Sequence, residues 1–156
     1  MRHHRPGPRA RRRFLQAFGA LAIVRWLPAS AAQAELPDIP VMKAFLAGRA
    51  PRWERLHLTL PRLADNGFAV PLKVVVDGPF TQDQRVRAIR LFSETNPVPE
   101  MASFELPMLV SRVEIDSRIR LAGTQTIVAF AEMSDGTVLA DAAEVVVTLA
   151  GCMDGT

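Results

Sequence analysis

From residue 56 onward, apolar and polar residues alternate or run in short Val- and Ile-rich blocks, and this period of two constrains the fold more than any other feature. The blocks are LHLTL (56–60), LKVVV (72–76), RVRAIRLF (85–92), SFELP (103–107), RVEID with RIRLA (112–122), TIVAFAEM (126–133) and AEVVVTLA (143–150). Each is strand length, and side chains two apart share a face, so each can bury one side and wet the other. Turn chemistry separates them. Asp65-Asn66-Gly67 and Ser134-Asp135-Gly136 offer the positive backbone angles of tight turns, while Asp77-Gly78-Pro79 and Asn96-Pro97-Val98-Pro99 mark longer bends. About seven short strands at this spacing predict an all-β, immunoglobulin-like antiparallel sandwich, with a small closed barrel as the competing architecture. One segment, IPVMKAFLAG (39–48), reads as a helix, with Val41, Phe45 and Gly48 at i, i+4 and i+7 and the glycine at its stop.

The first 34 residues have a different grammar: a basic front, an apolar stretch from Phe14 to Val24 and a small-residue exit, which is the build of an export signal. Arg11 and Arg12, followed by Phe14 and Leu15, fit a twin-arginine pattern, and Ala32-Gln33-Ala34 fits a signal-peptidase site. The apolar run is interrupted at Gly19 and Arg25, short of the roughly 20 residues of a membrane span. The expected organisation is a removed signal over 1–34, a helix and linker over 35–55, the sandwich over 56–150 and a C-terminal arm over 151–156. Delivery by the twin-arginine route to the periplasm follows, and no membrane anchor is expected.

Charge must be read after that removal. The signal holds seven of the 19 Lys and Arg residues and none of the 16 Asp and Glu residues, which leaves twelve against sixteen in the mature chain, a net charge of −4. The basic balance of the whole sequence therefore belongs to the signal, and nothing points to nucleic acid or acidic lipid as a partner.

Cys152 is the only cysteine, in a protein expected in an oxidising compartment where small domains often carry cysteine pairs. A leftover thiol of this kind suits an intermolecular bond or a reactive group. It follows the last strand and Gly151, so the sequence predicts a loose tether of Gly151, Met153, Asp154 and Gly155 around it. Counted from Leu149, such a tether would hold the thiol about 10 Å clear of the last ladder bond. Asp154 disfavours the thiolate, and no Lys or Arg follows.

A catalytic cysteine needs a base and an orienting group. The mature chain has one histidine, His57, which lies between Leu56 and Leu58 and so points to the wet face of its strand. Glu114 and Asp116, and likewise Arg118 and Arg120, read as a solvated sheet face, and Trp53 and Phe45 as core or partner contacts. One histidine, one cysteine and scattered carboxylates have no metal-ligand spacing, so no metal is expected. A thiol hydrolase or peroxidase using Cys152 with His57 is the enzymatic alternative, and it lacks a third group.

The blocks LPRLADNGFAVPLKVVVDGPF, AIRLFSETNPVPEMASFEL, RIRLAGTQTIVAFAEMSDG and AEVVVTLAGC, in this order, resemble SoxY, the carrier subunit of bacterial thiosulfate oxidation. The resemblance runs from about Leu56 to Cys152. It implies a non-enzymatic carrier with Cys152 as covalent attachment point, no cofactor beyond the attached sulfur intermediate, and pairing with a SoxZ-like subunit. It further implies service to a Sox cytochrome enzyme that joins thiosulfate to the thiol, a hydrolase that releases sulfate, and a sulfur dehydrogenase. The family's tail is typically Gly-Gly-Cys-Gly-Gly, whereas this chain reads Ala150-Gly151-Cys152-Met153-Asp154-Gly155-Thr156, bulkier and more acidic past the thiol. That difference motivates a second possibility, a diverged scaffold subunit whose cysteine forms only intermolecular disulfides.

Overall fold

The computed structural model describes residues 36–151. Eight strands follow one short helix: α1 (Pro40–Leu46), β1 (Leu56–Thr59), β2 (Leu63–Ala64), β3 (Val70–Val76), β4 (Val86–Ser93), β5 (Glu100–Glu105), β6 (Val113–Ile119), β7 (Gln125–Met133) and β8 (Val138–Val147). They form a three-stranded sheet, β1-β3-β6, and a five-stranded sheet, β2-β8-β7-β4-β5. The pairings are antiparallel except for β2, which runs parallel to β8. The fold is the expected β-sandwich.

The alternating strands bury what their period dictates. In β3, Val70, Leu72, Val74 and Val76 are buried while the residues between them are not, and β1 does the same with Leu56 and Leu58. Strands β4 and β7 depart from alternation because both of their faces are covered. Ile89, Leu91, Ile127 and Ala129 face the three-stranded sheet in the main core. Phe92, Val128 and Phe130 instead join Ile39, Met42 and Leu46 of the helical segment in a second, smaller core. Phe45, Phe92 and Phe130 meet there at centroid separations of 5.6–5.8 Å, within the range of favourable aromatic pairs. Trp53 packs against the same cluster.

Three expectations need correcting. The buried helix positions are Met42 and Leu46, with Ile39 just before, whereas Val41 is exposed. Apolar residues surround this short helix, so spacing alone did not select the face that meets the sheet. Strand β8 begins at Val138, five residues earlier than its apolar block. Its first half, rich in Ala and Asp, has low strand propensity, yet it pairs with β7 from Glu132↔Val138 onward. The turn that starts this hairpin has Gly136 at φ 85°, and the Thr137 amide donates to Asp135 Oδ1 at 2.9 Å, which holds the Asp135 carboxyl below its usual range. Finally, β2 has two residues and no periodicity to reveal it.

The short β2 matters because residues 52–64 cover the free edge of β8. Arg52 bridges Leu139 at one end, β2 pairs with Val146 and Val147 at the other, and between them the Leu58 amide donates to Asp141 Oδ2 at 2.7 Å. That edge is closed to strand addition. On the opposite side, β5 and β6 end the two sheets, and a cleft of about 390 Å³ opens between them, lined by Leu91, Met101, Phe104 and Ile119 among others.

On the outer face of the three-stranded sheet, Lys73 and Arg112 both bond the Glu114 carboxylate. The Lys73 hydrogen bond holds the Glu114 carboxyl below its usual value and raises Lys73. A lowered folded-state carboxyl contributes stability above its unfolded pKa and loses it as pH falls through the folded value. Glu114→Gln is therefore expected to lower stability slightly at neutral pH, with the difference from wild type shrinking as pH falls through the lowered Glu114 value. Thermal unfolding at neutral and acid pH checks this.

Candidate functional site

The last strand leads to the end of the chain that carries the candidate residue Cys152, and the structure holds the strand's exit in place to the final described residue. Along the β2–β8 pairing and just past it, the Val146 amide donates to Arg62 O at 2.9 Å and the Thr148 amide to Ala64 O at 3.1 Å. The Gly67 amide donates to Leu149 O at 2.7 Å, the Leu121 amide to Gly67 O at 2.8 Å, and the Gly151 amide to Leu121 O at 2.7 Å. The Thr148 hydroxyl also bonds Asp65 O. Residues 62–67 and Leu121 thus clamp the exit from two sides.

Gly151 is buried at the centre of this clamp. A Cβ on Gly151 would overlap the backbone of Gly67, and one on Gly67 would overlap the Leu121 carbonyl and stand 2.6 Å from Gly151 N. Two glycines are present because two backbones cross with no room for a side chain. This revises the sequence reading of both. Gly67 is absent from the residues with positive φ, so it serves close approach rather than a tight turn. Gly151, expected as the loose start of the arm, is a pinned residue, so the tether has its root one peptide bond from Cys152. Cys152, Met153, Asp154 and Gly155 lie outside the described residues, as do Arg11, Arg12, Phe14, Leu15, Ala32 and Ala34 of the expected signal.

Leu121 is itself braced. Asn96 Nδ2 donates to Arg120 O at 2.8 Å, Asn96 Oδ1 accepts from the Ala122 amide at 2.9 Å, and the buried Gln125 donates to the same oxygen at 2.8 Å. Sequence reading saw in Asn96 only the start of a bend. Nothing local marks it as the support of the segment after β6, 25 residues later.

His57 does not belong to this site. Its Nε2 lies 2.7 Å from Asp77 Oδ2, both side chains are exposed, and His57 pairs with Val75 at one end of β3. Gly67 and Gly151 lie beyond the other end, at Val70. Five strand residues between Val70 and Val75 span roughly 16 Å. An orienting carboxylate for His57 thus exists, but at the wrong end of the sheet. His57→Asn is expected to change the alkylation rate of Cys152 by less than two-fold, measured with iodoacetamide at neutral pH. Arg120 is next to Leu121 in the chain, Arg62 O accepts from the Val146 amide, and Arg118 Nη1 donates to Ala69 O at 3.4 Å. Among the described residues, no group of three or more His, Cys, Asp or Glu side chains is placed to hold a metal ion.

Fold and exit define a small β-sandwich whose last strand is clamped up to the residue before a lone cysteine. The chain belongs to the sulfur oxidation protein SoxY family, whose model matches residues 42–152 and so ends on that cysteine. It is a protein of the Sox system of sulfur oxidation. No curated protein sequence matches it. Similar solved structures include a superoxide reductase (neelaredoxin) from Ignicoccus hospitalis, 13% identical, with a TM-score of 0.48 over 60% of this chain and 80% of that one. A candidate superoxide reductase from Thermotoga maritima is 16% identical, with a TM-score of 0.52 over 60% of this chain and 87% of that one. At these identities the likeness concerns the sandwich alone.

Proposed function

We propose that this protein is a periplasmic sulfur carrier that holds thiosulfate-derived intermediates on Cys152 and presents them to the enzymes of the Sox system. The observation that carries the reading is the family match, which runs to Cys152, on a chain whose backbone is built to deliver that residue from a fixed root. In the first step the Cys152 thiolate and thiosulfate join through a new S–S bond, releasing two electrons to a cytochrome enzyme and leaving Cys-S-S-SO3⁻. Water then cleaves the terminal sulfur–sulfonate bond in a hydrolase, giving sulfate, two protons and a persulfide on the carrier. A sulfur dehydrogenase oxidises that persulfide with three waters to Cys-S-SO3⁻, passing six electrons to its electron acceptor and releasing six protons, and hydrolysis of the remaining S–S bond returns sulfate and the free thiolate. The carrier supplies position, and each partner supplies its own acid, base or redox group.

The test is the intact mass of the protein purified from cells oxidising thiosulfate. Adducts that map to Cys152 are expected, and their absence during active oxidation, with no second carrier present, would leave the scaffold reading in their place.

Two further parts of the proposal carry their own checks. Pairing with a SoxZ-like subunit is supported by the family and by the open side at β5 and β6, near which Val98 and Met108 are exposed. Co-expression of the two chains should give one species of about twice the domain mass by light scattering, and separate species at micromolar concentration would refute it. Export by the twin-arginine route rests on Arg11 and Arg12. Replacing both by lysine is expected to retain the precursor in the cytoplasm, because lysine lacks the planar guanidinium fork.

A further inference from the structure

The clamp sets how far the thiol can travel from the body. The backbone is hydrogen-bonded through the Gly151 amide, and Gly151 is in backbone contact with Gly67. Cys152 follows after one peptide step of 3.8 Å, so its sulfur is roughly 6–7 Å from the last fixed Cα even with the side chain fully extended. Any enzyme that acts on this sulfur must therefore bring its reacting atoms almost to the surface of the sandwich. The surface around the exit is then covered in every productive encounter.

Four large apolar side chains stand exposed on that surface, among the exposed polar residues Arg62, Asp65, Asn66 and Thr148. Leu63, Phe68, Val146 and Leu149 are 58, 52, 44 and 59% exposed. They account for half of the large exposed hydrophobic side chains among the described residues, and all four lie on the segments that form the clamp. Leu63 and Val146 are register partners in β2 and β8. Leu149 and Phe68 flank the bond from the Gly67 amide to Leu149 O. Grouped exposed apolar residues of this kind mark interaction surfaces, whereas isolated ones are ordinary.

We propose that Leu63, Phe68, Val146 and Leu149 form a docking collar for the enzyme that conjugates thiosulfate to Cys152, with an apolar rim around the mouth of that enzyme's active site as the complementary surface. This deepens the carrier reading and rests on it. The occupant is an enzyme rather than a second copy of this chain, because the short root forces the collar against whatever holds the reacting sulfur. A small apolar collar also suits a contact that must form and release in each cycle, since transient complexes bury little area.

The experiment compares wild type with Phe68→Asp and, separately, Leu149→Asp, using the purified conjugating enzyme of the same organism, thiosulfate and an electron acceptor. Both side chains are exposed, so both variants are expected to fold, and the second serves if the first does not. Adduct formation at low carrier concentration should fall at least ten-fold in each, while alkylation of Cys152 by iodoacetamide, which needs no docking, should stay within two-fold. A third variant with Gly-Ser-Gly inserted between Gly151 and Cys152 lengthens the root by about 10 Å. On that background the Asp substitutions should lose most of their effect. If wild type is loaded and the Asp variants are loaded equally fast, the collar is refuted and the carrier reading stands. If wild type is not loaded at all, the carrier reading itself falls, and the collar with it.

Discussion

Replacing Cys152 by serine is expected to abolish every sulfur adduct on the protein while shifting its melting temperature by no more than about 2 °C, the span that corresponds to roughly 0.5 kcal/mol in a domain of this size. The two halves rest on different parts of the molecule. Adduct chemistry needs a thiolate, and no other cysteine can substitute. Stability comes from the core between the sheets and the smaller core under α1. Intact mass after exposure to thiosulfate and the conjugating enzyme reads the first, and thermal unfolding reads the second. Adducts surviving on the serine variant would place the carrier function elsewhere, and a large loss of stability would mean that the cysteine is part of the packing.

The larger effect on stability is expected from Gly67→Ala. The added carbon would sit in hard overlap with the Leu121 carbonyl and 2.6 Å from Gly151 N, and all of these are backbone atoms with no rotamer to yield. Overpacking against rigid neighbours costs typically 1–3 kcal/mol, and the bonds joining Gly67, Leu121, Leu149 and Gly151 would lengthen as well, so a loss of about 2–3 kcal/mol is expected, or roughly 10 °C in melting temperature. Gly123→Ala is the control. No atom lies within 4 Å of a Cβ there and its φ is not in the left-handed region, so it should be neutral or slightly stabilising. Hydrogen exchange locates the damage: the Leu121 and Gly151 amides should lose protection first in Gly67→Ala while those of β4 and β7 keep theirs. Equal stability of the Gly67 and Gly123 variants would show that the crossing is not tight.

Strands β1, β3 and β6 were legible because each has one wet face, and period two is the direct imprint of that asymmetry. Strand β7 was legible from composition, since nine residues with few polar members and several β-branched ones fit a strand covered on both sides. The first half of β8 was not, because Ala140 and Ala142 are small for a reason 90 or more residues away: the helical segment packs over them. The cysteine was legible as a candidate site from its solitude and its position. Its immediate support was not. A glycine in Asp65-Asn66-Gly67 reads as a turn until Gly151 is known to cross it.

The sequence by itself determined the fold class, the place of the thiol after the last strand, the division of charge between residues 1–34 and the rest of the chain, and the family. All of these depend on residue types and near-neighbour spacing, which a linear chain displays. Only the tertiary structure decided that Gly151 is a fixed root rather than a hinge, that His57 stands at the far end of the sheet from the exit, and that four exposed apolar side chains lie on the segments beside that exit. Those facts depend on approaches between residues 30 to 90 positions apart, and a backbone contact between two glycines leaves no mark in either local sequence.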